Sequence, residues 1–265
     1  MITIERKILN ITIKTCFFVK EHLQNEPSVS IIGYSHSFMP LSSLSSYETL
    51  HIDLMKSEDE LMMGMNQTTR RQIRRAEEKA FERVVIEKPT NNDLLKFQTF
   101  YNNFAKNKKT HSCNLYHMQT MKLLRDQNAL LITYIKQDEE ILCYRIYIID
   151  DNVAMNLYSA SLFRMAESAE TKKMMGQANR LLTWKSILWF KNKGYDVYDF
   201  GGLTTDQNIR RFKFGFGGEI VPVYFGYQAN SYAGSIILKI RDLKSVISSI
   251  RNINVWPILS ITSFL

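Results

Sequence analysis

The sequence predicts an α/β fold: a mixed, largely antiparallel sheet flanked by helices, with a C-terminal amphipathic helix. Three observations carry that expectation. "ALLITYI" (Ala129 to Ile135), "EILCYRIYII" (Glu140 to Ile149) and "NVAMNLYSA" (Asn152 to Ala160) are strand-like runs separated by the polar turns "KQDEE" and "DD". That is the pattern of an antiparallel meander. Helix-periodic segments lie on both sides of it, as in layered α/β domains. The helix expected over 178–193 spreads Leu181, Leu182, Trp184, Ile187, Leu188 and Trp189 over more than one narrow stripe, so it should be central and largely buried.

The remaining elements follow in chain order. Residues 1–49 form an N-terminal extension without a readable pattern, and "PLSSLSSYE" (Pro40 to Glu48) reads as a loop. "LHIDL" (Leu50 to Leu54) is a short strand. Ser57 with Glu60 three residues later makes a capping box that should start a helix reaching Lys79. Its apolar stripe is Leu61, Met65, Ile73, Ala76 and Ala80. A strand is expected at Arg83 to Glu87, then amphipathic helices near 91–106 and 115–127. After the meander, residues 161–177 read as a loop, and Gly194 should close the central helix. "YDVYDF" (Tyr195 to Phe200) is a strand, "DQNIRRFKF" a short helix and "EIVPVYFGY" a closing strand. The division expected is an extension at 1–49, a main domain at 50–230 and a basic amphipathic segment at 231–265.

Composition narrows the partners. With 265 residues and 45% hydrophobic content, the chain can bury a substantial core. Its 34 Lys+Arg against 26 Asp+Glu give +8, which favours nucleic acid, phosphorylated substrates or a lipid surface. Cys16, Cys113 and Cys143 make no close pair, which argues for a reducing, cytoplasmic setting. His111, Cys113 and His117 lack a fourth ligand at metal spacing, so no metal is expected. No run is long enough to span a bilayer. In the tail, Ile236, Ile240, Leu243, Ile247 and Ile250 share one face, Lys239, Arg241, Lys244 and Arg251 supply cations, and Trp256 follows. Such a helix suits peripheral contact with the inner membrane surface, or packing on the domain or a dimer partner.

Three stretches carry chemistry. "KMMGQA" (Lys173 to Ala178) precedes the expected helix start, where free N–H groups and the helix dipole suit a phosphate. "YDFGGL" and "RRFKFGFGGE" place glycines directly after one strand and directly before another, where α/β proteins bind ligands. "NQTTRRQIRRAEEKA" (Asn66 to Ala80) pairs Arg70 with Arg74 and Arg71 with Arg75 one turn apart. Each pair repels unless an anion lies between, so the helix reads as an acceptor-phosphate site or a solvated face.

In that order, "TTRRQIRRAEEKA", "ANRLLTWKSILWFKNKGYDVYDFGGL" and "FKFGFGGE" resemble the Fem-type branch of the GNAT acyltransferase superfamily over roughly residues 50–228. The branch includes aminoacyl transferases of peptidoglycan cross-bridges and acyl-CoA-dependent relatives found with polysaccharide biosynthesis. The resemblance implies a GNAT-like fold with donor and acceptor meeting where two strands splay. It places Lys173, Gly176 and Ala178 on the family's pyrophosphate loop, with lysine replacing Arg/Gln. The cofactor-binding set expected is therefore Lys173, Gly176, Gln177, Ala178 and Asn179. Cross-bridge enzymes carry two tandem domains, whereas this chain has room for one.

The residue types suit amine acylation, which needs a donor for the oxyanion and an acceptor for a proton. The candidates are Lys213 for the oxyanion, Asp199 for the proton, and Tyr158 or Tyr198 as acid for a leaving thiolate. Arg70, Arg74, Gly201, Gly202 and Arg211 are expected at the substrate. The function expected is an N-acyltransferase carrying an acyl group from acyl-CoA to an amino sugar, sugar nucleotide or related cell-envelope precursor. The alternatives are an aminoacyl-tRNA-dependent transferase, with tRNA as partner, and a non-catalytic nucleic-acid-binding protein. The last leaves "DFGG" and "FGGE" unexplained.

Overall fold

The computed structural model describes residues 1–8, 10–24 and 26–251, with side chains as far as 242. Strands β1 (Ile2–Ile8), β2 (Ile11–Phe17), β3 (Ile31–Ser37) and β4 (Ser45–Asp53) come first. Helices α1 (Glu58–Gly64) and α2 (Gln67–Glu77) precede β5 (Glu82–Ile86), then α3 (Asn91–Lys108) and α4 (Leu115–Asp126). The meander is β6 (Leu130–Gln137), β7 (Glu140–Ile149) and β8 (Val153–Ser161), ending in a 3-10 turn, Leu162–Arg164. Then come α5 (Ala169–Asn192), β9 (Val197–Asp199), α6 (Gln207–Phe214), β10 (Glu219–Ala229) and α7 (Tyr232–Arg251).

The chain divides into two compact units: Met1–Glu48 together with Pro222 onward, and Thr49–Val221. In the first, β1 and β2 pair antiparallel, β2 and β3 parallel, and β3 with β10 antiparallel. The N-terminal extension is thus strand, and the strand expected to close the main domain pairs with it. Its signal was hidden because the inward positions of β1 and β2 include Arg6 and Thr15, each buried among the alternating isoleucines. In α7, Ile236 and Ile240 are exposed. The side chains of Leu243, Lys244, Ile247, Ile250 and Arg251, and all of Trp256, lie outside the described residues. Among the described residues no helix is long and apolar enough to cross a membrane.

The second unit holds six strands in the order β4-β9-β8-β7-β6-β5. Every pair is antiparallel except β8 with β9. Side-chain alternation on β7 sends Cys143 and Tyr147 into the core beneath α5, and Tyr144 onto Phe97 and Phe100 of α3. The central helix is as buried as its composition implied, with Trp184, Ile187 and Phe190 each at most 1% exposed.

Two helix boundaries differ from expectation. The Ser57–Glu60 capping box is present, but the helix does not run to Lys79. Met65 turns extended and Asn66 caps a second helix by accepting from the Thr69 amide at 2.8 Å. Asn is a strong cap, so a local hydrogen bond overrides helix continuation. Ala80 lies beyond α2 and is exposed. The larger difference is α5, which starts at Ala169 with Ser168 as its cap, well before 178.

Candidate active site

The parallel partners β8 and β9 stay in register through Val153↔Val197, Ala154↔Tyr198 and Met155↔Asp199. There β9 ends, while β8 runs on to Ser161. The C-terminal end of a parallel strand pair is where α/β proteins tend to bind ligands. A bulge sits at the parting. Tyr147 pairs with Asn156 and Ile146 with Tyr158, so Leu157 has no partner across the ladder. Asn156 braces the bulge by donating to the carbonyls of Ile146 and Tyr158 at 3.1 and 2.9 Å.

Asp199 terminates β9 and is wholly buried. Its Oδ1 accepts from the Thr49 hydroxyl and, at 2.7 Å, from the Gly201 amide. Its Oδ2 lies 2.8 Å from His51 Nε2. A carboxylate so enclosed, with both oxygens engaged by neighbouring groups, cannot itself reach a substrate amine. His51 stands opposite it on β4, with its side chain 16% exposed. Sequence reasoning missed His51, because nothing in "LHIDL" marks its histidine until β4 is paired with β9.

Lys213, from α6, donates to three successive carbonyls, Phe200, Gly201 and Gly202, at 2.8, 2.9 and 2.8 Å. All three of its N–H donors are occupied by this loop. Burial pulls the ammonium down to about 7; nearby Asp199 opposes that, and Arg145 and Lys108 add to it. Expected as an oxyanion donor, Lys213 in this geometry fixes the turn leaving β9 instead.

The glycines serve packing. A Cβ at Gly201, where φ is +66°, would lie 2.5 Å from the Asn156 carbonyl oxygen. One at Gly218, at φ +97°, would lie 2.4 Å from that of His51. The bare backbone expected beside a ligand at Gly201 and Gly218 abuts neighbouring backbone instead. Gly202 is half-buried in the loop under Lys213.

Other expected site residues fall elsewhere. Gly176, Gln177, Ala178 and Asn179 lie in the third turn of α5, where amides are committed to the helical ladder. The N–H groups outside the helical ladder belong to the first turn, at 169–171, where that of Thr171 is capped by Ser168 Oγ at 3.0 Å. Gln177 and Ala178 are buried, Lys173 is exposed, and Asn179 Oδ1 accepts from Arg145 at 2.9 Å. Tyr158 packs its ring against Phe97, Tyr101 and His117, and burial raises its phenol well above the usual value, which makes it a poor acid. Tyr198 is also wholly buried, its hydroxyl 3.2 Å from that of Tyr147. Arg70 donates to the carbonyls of Met63 and Met65 at 2.9 and 3.1 Å, closing α1. Arg74 and Arg211 are exposed.

No protein-family model and no curated protein sequence matches the chain. Among solved structures, FemX superposes with a TM-score of 0.61 at 11% identity, over 84% of this chain and 83% of that one. The fold is therefore of the Fem type. The C-terminal domain of a putative lysylphosphatidylglycerol synthetase from Agrobacterium fabrum gives 0.53 at 11% identity, over 89% of this chain and 83% of that one. L-PGS from Bacillus licheniformis gives 0.53 at 14%, over 90% and 84%. At these identities the likeness is one of fold. Within the Fem-type frame, the bulge and the His51–Asp199 pair occupy one end of the parallel strand pair.

Proposed function

We propose that the chain is an N-acyltransferase that acylates an amine at the splay of β8 and β9, with His51 as proton acceptor and Asp199 as its orienting anion. The observation that carries this reading is the 2.8 Å contact between a wholly buried carboxylate and a partly exposed imidazole at that splay. When Nε2–H donates to Asp199, the basic lone pair is on Nδ1, and the carboxylate stabilises the imidazolium that forms. The amine nitrogen attacks the donor carbonyl, a C–N bond forms, and the amine proton passes to His51. The C–S bond of a thioester, or C–O bond of an ester, then breaks, and the leaving group takes a proton. Leu157, outside the ladder at the bulge, offers its amide to the oxyanion.

The donor in this reading is acyl-CoA and the acceptor an amino sugar, sugar nucleotide or related cell-envelope precursor. Aminoacyl-tRNA is the second donor reading. It is favoured by the start of α5 at Ala169, which leaves no free amides at Gly176–Asn179 for a pyrophosphate. FemX and the lysylphosphatidylglycerol synthetase domain share the fold. The deciding assay offers the full chain acyl-CoAs or aminoacyl-tRNAs with amino sugars and sugar nucleotides, and follows acyl transfer by mass. Transfer that is lost in His51→Ala supports the proposal. Transfer that survives in His51→Ala, or no transfer from any donor, overturns it.

A further inference from the structure

Beside the proton-transfer pair, the second unit gathers positive charge that its own carboxylates do not balance. Arg145 of β7 is 2% exposed. Its hydrogen-bond acceptors, Asn156 Oδ1 at 3.0 Å, Ser159 Oγ at 2.9 Å and Asn179 Oδ1 at 2.9 Å, are all uncharged. Its buried Nε has no acceptor. Arg180 of α5 repeats the pattern, giving one bond to the Gly176 carbonyl and leaving a buried Nε without an acceptor. Both guanidinium groups face the Phe212 ring, with carbons 5.6 and 5.2 Å from its centroid. Lys213 is next in sequence on α6, and its ammonium feels Arg145 and Lys108. Lys108, at the end of α3, is close enough to feel Arg164 and Asp206. Lys213 and Lys108 therefore add positive charge near the two guanidinium groups, while the nearby carboxylate of Asp199 is already engaged by His51.

Such an arrangement works against stability. A buried charge without an opposite charge is costly, and replacing it by an apolar side chain is often neutral or stabilising. The ring quadrupole of Phe212 offsets only a little. Cations held here despite the cost make sense if an anion completes them. Two guanidinium Nε–H donors without acceptors and an ammonium call for several acceptor oxygens and more than one negative charge, which a phosphate or pyrophosphate supplies and a lone carboxylate does not.

We infer that Arg145 and Arg180, which face the Phe212 ring, together with Lys108, which lies over Phe104 at the end of α3, form a binding site for a phosphate or pyrophosphate group carried by one of the substrates. The site deepens the acyl-transfer reading and rests on it for the word substrate, but its anion chemistry stands alone. The phosphate can belong to a nucleotide-bearing donor or to a phosphorylated acceptor.

The test reads binding without turnover. Inorganic pyrophosphate is titrated into the full chain at constant ionic strength with chloride, and Tm is followed. The expected result is a saturable rise of about a few degrees. Arg180→Met and Lys108→Gln should each weaken it by about tenfold or more while leaving the ligand-free Tm unchanged or higher. His51→Ala should keep the whole effect, so a failed transferase assay and a failed anion site are told apart. Competition by CoA assigns the phosphate to the donor, and competition by a uridine-diphosphate amino sugar assigns it to the acceptor. A rise no larger than chloride gives overturns the site. So does a pyrophosphate response that persists in both variants, or a ligand-free Tm that falls in both, which would make these cations supports of the fold.

Discussion

His51 and Asp199 are directly opposed across the antiparallel β4–β9 pair, and their side chains meet at 2.8 Å. The register alone brings them together, since 148 residues separate them in the chain. One residue of slip in either strand would send one side chain to the opposite face.

Replacing His51 by Ala, or Asp199 by Asn, should lower kcat by about two to four orders of magnitude, the scale of a lost general base or its orienter. Donor KM should change little. Steady-state kinetics on both variants check this, and a retained kcat in Asp199→Asn would show that the carboxylate only supports the fold.

Lys213→Met distinguishes a loop anchor from an oxyanion donor. With all three N–H groups spent on residues 200–202, loss of the lysine should speed amide hydrogen exchange in that loop. A pure oxyanion donor would lower kcat with exchange unchanged.

The same lysine sets a pH dependence of stability. Burial holds its folded pKa at about 7, against 10.5 for the unexposed-to-protein reference of the unfolded chain, with Asp199 opposing and Arg145 and Lys108 reinforcing the fall. Between those values the unfolded chain holds a proton that the folded chain has released. Unfolding free energy should therefore rise with pH across that window, by at most about 1.4 kcal/mol per pH unit. Urea titrations at pH 7, 8 and 9 should show the rise in the parent protein and its absence in Lys213→Met.

Gly201→Ala should destabilise by more than about 1 kcal/mol, since a Cβ there meets both a positive φ and the Asn156 carbonyl. A Tm equal to the parent's would mean that the loop relaxes around the methyl.

Arg70→Ala should cost about 1 kcal/mol through its two lost bonds to the end of α1, with no effect on acceptor KM. Arg74→Gln, on the exposed side of α2, should leave stability unchanged. An acceptor KM that rises in Arg70→Ala would restore the phosphate role expected from the sequence.

Much of the second unit was legible because its signals are local. The meander announces itself through runs of β-branched and aromatic residues between polar turns, and Ser57 and Glu60 mark a helix start within four residues. Asp199 and Lys213 drew attention through the glycines around them. Their roles were not legible, because they depend on partners far away in sequence: His51 for Asp199, and the carbonyls of residues 200–202 for Lys213. Arg145 was invisible for a similar reason. It sits in the middle of "EILCYRIYII", where a strand reading expects an outward cation, and only the folded chain shows it buried. The start of α5 was misplaced because "SAETKKMMG" is polar and carries a glycine, although Ser168 is a sound cap for it.

The unpaired Leu157 has one further effect on β8. In an uninterrupted strand, Asn156 and Ser159 are an odd number of residues apart and would point to opposite faces. Both nevertheless reach the same Arg145 guanidinium, because the extra residue between them turns the rest of the strand over. The same half-turn sends Tyr158 to the aromatic cluster beside α3. Drawing Leu157 into the ladder as an ordinary paired residue would invert the facing of everything from Tyr158 to Ser161, taking Ser159 from the arginine and swinging the tyrosine towards α5, whereas excising it would leave the facing intact, because Asn156, Tyr158 and Ser159 already alternate across it. Inside and outside at this end of the strand therefore depend on one residue being kept out of the ladder.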